Sequence, residues 1–168
     1  MRLERRSHNM KEYKGYLIDL DGTMYKGTEL IAEARDFVIK LKEKGIPYLF
    51  VTNNSTKTPD KVAEKLEAFG IPATEEQVFT TSQATANYLH ERKANASAYV
   101  IGGEGIRHAL LEKGFTIEEE DTDFVVVGLD QEITYEKLAK ACLNVRNGAF
   151  FVSTNGDIAI PTERGLLP

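Results

Sequence analysis

Two carboxylates one residue apart, Asp19 and Asp21, follow the short apolar run Tyr16-Leu17-Ile18 and precede Gly22 and Thr23. In an extended segment, side chains two positions apart point to the same side. Like charges placed so close repel, so the pair calls for a cation between the two groups or a raised pKa on one of them. Oxygen ligands of this kind favour a hard ion such as Mg²⁺. Gly22 permits a tight turn and Thr23 can hydrogen-bond locally. Taken alone, these residues read more simply as a strand that ends in an Asx-rich turn. A second polar cluster, Thr52-Asn53-Asn54-Ser55, follows the apolar run Ile46–Val51. Hydroxyls, amides and backbone N–H groups at a strand end make a cradle for phosphate oxygens. That cluster alone could be a polar loop capping the next helix. The two together, at matching ends of two strands, form a far more specific pattern.

The elements that must hold these groups are legible in the apolar pattern. Tyr16–Ile18, Ile46–Val51, Ser97–Ile101, Phe124–Val127 and Ala149–Val152 are short continuous apolar runs, suited to strands of a parallel sheet covered on both faces. Between them lie helix-period stretches at 30–44, 58–70, 82–93, 104–113 and 134–147. Gly45, Gly70, Gly114 and Gly148 stand at helix ends, and Thr58-Pro59 suits a helix start. Strand and helix in alternation predict an α/β fold, in which ligand sites lie beyond the carboxyl ends of the strands. Both polar clusters fall there.

Composition bounds the rest. The 168 residues are 42% apolar and 28% charged, with seven Tyr and eight Phe, enough for a buried core and unlike a disordered chain. The net charge of −5 argues against nucleic acid as a partner. No apolar run approaches the roughly 20 residues needed to span a bilayer. One cysteine, Cys142, cannot form an internal disulfide, so a reducing compartment, the cytoplasm, is expected. Residues 1–9 are basic and polar without a following apolar segment, and read as a leader or an appended remnant.

Asp19-Leu20-Asp21-Gly22-Thr23 with Thr52-Asn53-Asn54-Ser55 resembles the haloacid dehalogenase superfamily of phosphatases. Within it the chain is most similar to the subfamily (IIA) with a large α/β cap inserted after the third core strand, which includes sugar-phosphate, nucleotide and p-nitrophenyl-phosphate phosphatases. Phe79-Thr80-Thr81-Ser82, Tyr99–Gly102, Phe124–Gly128 and Ser153–Asp157 with Pro161 and Gly165 extend the likeness. The resemblance implies an incomplete Rossmann-like core over 10–93 and a cap over 94–168. It implies that Asp19 is the nucleophile, forming an aspartyl-phosphate, and that Asp21 is the general acid and base. Mg²⁺ would be held by Asp19 and by the Asp21 backbone carbonyl. Thr52 and Asn53 would bind the transferring phosphoryl group, with Asn54 on the substrate side. The implied substrate is a small phosphorylated metabolite.

The family's lysine and GDxxxxD motifs follow the cap, and the chain reaches Pro168 before either. It is therefore expected to be the first part of such an enzyme and impaired as it stands, with an exposed sheet edge or the cap joining copies into an oligomer. The alternative is a catalytically silent fragment that binds phosphate or Mg²⁺ or serves regulation. Ile158–Pro161 is where substrate selectivity is expected. Other features have plainer readings. Gly102-Gly103-Glu104-Gly105 suits a simple strand-to-helix turn. Cys142, at helical spacing from Leu138 and Val145, is expected in the core. The three histidines show no ligand spacing, and Glu118–Asp121 reads as a solvated loop.

Overall fold

The structure, a computed structural model, describes residues 13–158, 160–162 and 165–167; the 1–9 segment and part of the expected selectivity stretch lie outside them. In chain order the elements are β1 (Tyr16–Asp19), β2 (Tyr25–Lys26), β3 (Glu29–Leu30), α1 (Ala32–Glu43), β4 (Tyr48–Thr52), α2 (Pro59–Ala68), a 3₁₀ turn (Glu75–Gln77), β5 (Val78–Thr80) and α3 (Thr81–Arg92). There follow β6 (Ser97–Ile101), α4 (Glu104–Glu112), β7 (Thr116–Ile117), β8 (Phe124–Val127), α5 (Tyr135–Arg146), β9 (Phe150–Ser153), β10 (Ile160–Thr162) and β11 (Gly165–Leu167). The chain is α/β, with two parallel sheets ordered β1-β4-β5 and β7-β6-β8-β9, and two small antiparallel hairpins, β2-β3 and β10-β11.

The first sheet packs against α1 and α2. Ile18, Phe50 and Val78 stand in one row across β1, β4 and β5 and join Val38, Leu41, Val62 and Leu66 in a buried cluster. Burial alternates along β4, so the other side of this sheet is not covered in the same way. Leu17 on β1 is 78% exposed. The apolar runs predicted coverage on both faces; in this sheet only one face is fully buried among the described residues.

The second sheet is covered on both faces. Ala98, Val100, Phe124 and Val126 pack with Ile106 and Leu110 of α4 and with Ala86 and Leu89 of α3. Tyr99, Ile101 and Val125 pack with Ala141 of α5 on the other face. The α5 contact is narrow, because the helix buries only Ala141 and Asn144. Cys142 is exposed, with Leu138 and Val145, contrary to the expected core position. The apolar stripe is real, but the helix turns its smaller residues to the sheet. Thr58 does occupy the N-cap of α2, although its side chain makes no capping hydrogen bond, and Pro59 starts the helix. Thr80 and Thr134 cap α3 and α5 through side-chain oxygens that accept from Gln83 N and Lys137 N.

Candidate active site

Asp19 and Thr52 leave the first sheet at the same end. Asp19 pairs in register with Val51, one residue before Thr52, on strands spaced about 4.8 Å apart. After β1 the chain turns sharply: Thr23 N and Met24 N donate to Leu20 O at 3.1 and 2.8 Å, and Gly22 N donates to Tyr25 O at 2.8 Å. Gly22 takes a φ of +83° with nothing near its missing Cβ, a backbone state that suits glycine. The turn brings the Thr23 hydroxyl back to donate to Asp19 Oδ2 at 3.3 Å, which holds one carboxylate oxygen.

Asp19 and Asp21 are both exposed, yet protein crowds the inner side of Asp21. That burial, opposed by Lys65, reinforced by the Asp19 carboxylate and opposed again by Lys57, leaves the Asp21 carboxyl above its usual range. Burial, with Asp21 and Asp19 adding, also pushes the buried Tyr25 phenol up, so the hydroxyl keeps its proton. Lys65 of α2 stacks its ammonium 3.6 Å from the centre of the Tyr25 ring and approaches Gly27 O at 3.5 Å. Of the two acids, Asp21 is thus the one whose surroundings favour the protonated form.

The facing loop is built by its own side chains. Thr52 is buried, and its hydroxyl accepts from Asn54 N at 3.1 Å. Asn54 Oδ1 accepts from Thr56 N at 2.8 Å and from the Thr56 hydroxyl at 2.6 Å, so this side chain shapes the loop. Asn53 is exposed. The structure therefore gathers Asp19, Asp21, Thr52, Asn53 and Asn54 at one sheet end. Among the described residues no group of three or more His, Cys, Asp or Glu side chains is placed to hold a metal ion. The two acids are nevertheless hard oxygen donors, the chemistry that suits a divalent cation.

Sequence reasoning missed what holds this loop from the far side. The carboxyl ends of β6, β8 and β9 point at it. Gly105 N, in the first turn of α4, donates to Thr56 O at 3.1 Å. A Cβ on Gly105 would lie 2.5 Å from Lys57 O and 2.6 Å from Ser55 O, so only glycine allows the approach. Ser55 is buried; its hydroxyl accepts from Leu129 N at 3.4 Å and sits 2.7 Å from where a Gly128 Cβ would be. Ser82 donates to Ser55 O at 3.1 Å, and the Thr81 hydroxyl donates to Thr154 O at 2.6 Å. Lys61 of α2 pairs with Glu104 of α4 across the same junction. Gly105 and Gly128, each soon after a strand end, were the available signal, but without the fold nothing says which loop they admit.

Residues 16–116 match the family described as haloacid dehalogenase-like hydrolase. The chain belongs to this family. Among curated haloacid dehalogenase-like relatives, it is 69% identical over 159 residues to 5'-nucleotidase YutF of Bacillus subtilis. It is 58% identical over 160 residues to acid sugar phosphatase of Staphylococcus aureus. A double-mutant thermostable NPPase from Geobacillus stearothermophilus superposes with a TM-score of 0.88 at 60% identity, covering 95% of this chain and 63% of that one. The match to each curated relative covers 95% of this chain and 62% of the relative's length. Among the described residues no helix is long and apolar enough to cross a membrane.

Proposed function

We propose that the chain carries the nucleophile and phosphate-binding half of a Mg²⁺-dependent phosphatase acting on small phosphomonoesters. The observation that carries this reading is the convergence of Asp19, Asp21 and the Thr52–Asn54 loop at one sheet end. Family membership and the names of the relatives, which act on nucleotides and sugar phosphates, support it. Asp19, oriented by Thr23, attacks phosphorus, and the bond to the leaving oxygen breaks to give an aspartyl-phosphate. Asp21, whose environment favours holding a proton, gives it to the leaving oxygen and then takes one from the water that attacks the phosphoenzyme. Thr52, Asn53 and the backbone N–H groups of their loop bind the phosphoryl oxygens. Asp19 and the Asp21 carbonyl would hold Mg²⁺, which supplies positive charge between acid and phosphate.

The same reading divides the chain into a core part, residues 10–93, and a cap part, residues 94–168. The two separate sheets support that division; α3, although before the boundary, contributes Ala86 and Leu89 to the second core. A silent phosphate- or Mg²⁺-binding fragment is the second reading, favoured by the small number of acids at the site among the described residues. The test is phosphate release from a nucleoside monophosphate, a sugar phosphate and p-nitrophenyl phosphate with Mg²⁺. It is run on the 168-residue chain and on a chimera completed with the unmatched part of the Bacillus subtilis relative. Turnover by the chimera, lost on Asp19→Asn, is the expected result. A chimera that folds, binds Mg²⁺ and releases no phosphate overturns the enzymatic reading in favour of the silent one.

A further inference from the structure

One side chain of the Thr52–Thr58 loop is held more firmly than the turn alone requires. Asn54 Oδ1 accepts from Thr56 N at 2.8 Å, an Asx turn, and also from the Thr56 hydroxyl at 2.6 Å. A backbone N–H can donate only to the oxygen of a carboxamide, so it fixes which way the Asn54 amide faces. That oxygen has two lone pairs, and the two Thr56 donors take both. The Asn54 Nδ2 group keeps its two N–H donors and makes no hydrogen bond with another described residue. Asn54 is exposed, so these donors are open to a ligand.

The same residue is tied to the phosphate side of the loop. Asn54 N donates to the Thr52 hydroxyl at 3.1 Å, and Thr52 follows the residue that stands in register with Asp19. Thr56 is backed in turn by the start of α4. Its carbonyl accepts from Gly105 N at 3.1 Å, and a Cβ on Gly103 would lie 3.2 Å from its Cα. Were the hydroxyl lost, only the backbone bond would hold the amide plane, and the last torsion of an asparagine is broad.

We propose that Thr56 is a positioning residue that makes Asn54 a donor-only contact for the carbon-bearing part of the substrate. Its target is an oxygen acceptor beside the phosphate ester, such as a sugar hydroxyl. The proposal rests on the phosphatase reading above, in which Thr52, Asn53 and backbone N–H groups serve the phosphoryl oxygens. Asn54 Nδ2 is the next donor along that loop. A hydroxyl oxygen beside the ester accepts from it, whereas a bare aryl ring offers no such acceptor.

The test uses the chimera completed from the Bacillus subtilis relative, with a sugar phosphate and p-nitrophenyl phosphate as substrates. Thr56→Val keeps the branched shape and removes the hydroxyl. It is expected to raise KM for the sugar phosphate roughly three- to fivefold, with kcat and the melt little changed. The rise for p-nitrophenyl phosphate should be smaller. Thr56→Ser should restore the parent KM. In an Asn54→Ala background Thr56→Val should add nothing, because its effect passes through that amide. An unchanged KM, equal changes for both substrates, no rescue by Thr56→Ser, or additivity with Asn54→Ala overturns the proposal. The Asn54 side-chain N–H signals answer independently of turnover. They are read by NMR in the Asp19→Ala chimera with isotope-labelled asparagine and assigned by their loss in Asn54→Ala. Adding the sugar phosphate with Mg²⁺ is expected to shift them, and signals that do not move overturn the proposal. If they shift while the parent chimera shows no turnover, the Asn54 contact stands and only the phosphatase reading fails.

Discussion

An amide at position 19 cannot attack phosphorus and carries no charge for a cation, so in the completed chimera Asp19→Asn is expected to lower kcat by ~10³-fold or more. Phosphate release measures it, and near-normal turnover would remove Asp19 from the nucleophile's role. Asp21 also leaves a trace in stability. Because its folded pKa is raised above the ordinary 3.8, the native state binds more protons than the unfolded state just above that value, and stability falls as pH rises through the window. Asp21→Asn removes this burden. Its melting temperature is expected to exceed that of the parent at pH 7 by on the order of a degree or two, since solvent on the outer side screens the effect. The gain should vanish below pH ~3, where Asp21 is protonated in both states; thermal melts across pH read both limits. Asp19, Asp21 and Thr52 were legible in the sequence because a turn or a helix cap needs one such polar group after an apolar run, not two clusters at matching strand ends. Ser55 was legible only as a polar residue, since its hydroxyl is used against Leu129, 74 residues away.

At the scale of elements, the junction between α4 and the Thr52–Thr58 loop carries the sharpest consequence. Gly105→Ala places a methyl group against two backbone carbonyls, which cannot rotate aside, and is expected to cost about 1–3 kcal/mol. Gly156→Ala, with nothing within 4 Å of the new atom, should be neutral by comparison. Urea denaturation of the two variants measures the difference, and equal stabilities would mean that the α4 approach is looser than its geometry. The helices and the longer strands were legible from period and from the glycines that follow them. The short strands β5 and β7 were not, because two or three residues carry too little pattern to separate a strand from a loop. The α5 stripe reads as core for a sound reason: apolar spacing reports that a face is to be covered, not which surface covers it.

For the whole molecule, the first sheet differs from the second in having one face incompletely covered and β1 at its margin. Leu17 there is a large apolar side chain in water, on a strand that has no proline and whose one charged residue, Asp19, stands at its end, so little discourages pairing. Leu17→Lys is expected to reduce the aggregated fraction of the 168-residue chain several-fold at ~100 µM, with little change in the melt; size-exclusion chromatography with light scattering checks it. An unchanged aggregate would clear this margin of blame. The alternation of strand and helix announced an α/β molecule, but the division into two sheets rests on which strands pair, and pairing is not written in period. The bond that reaches the facing loop from farthest along the chain, Leu129 N to the Ser55 hydroxyl, spans 74 residues, and Thr81 at the start of α3 is tied to Thr154 across 73. During synthesis, then, the two acids and their loop emerge early, while the residues that latch the loop are still unmade. At ~5–20 residues per second, the nascent chain spends several seconds with that loop unlatched, and a protease or chaperone that reads loose backbone meets it in that interval.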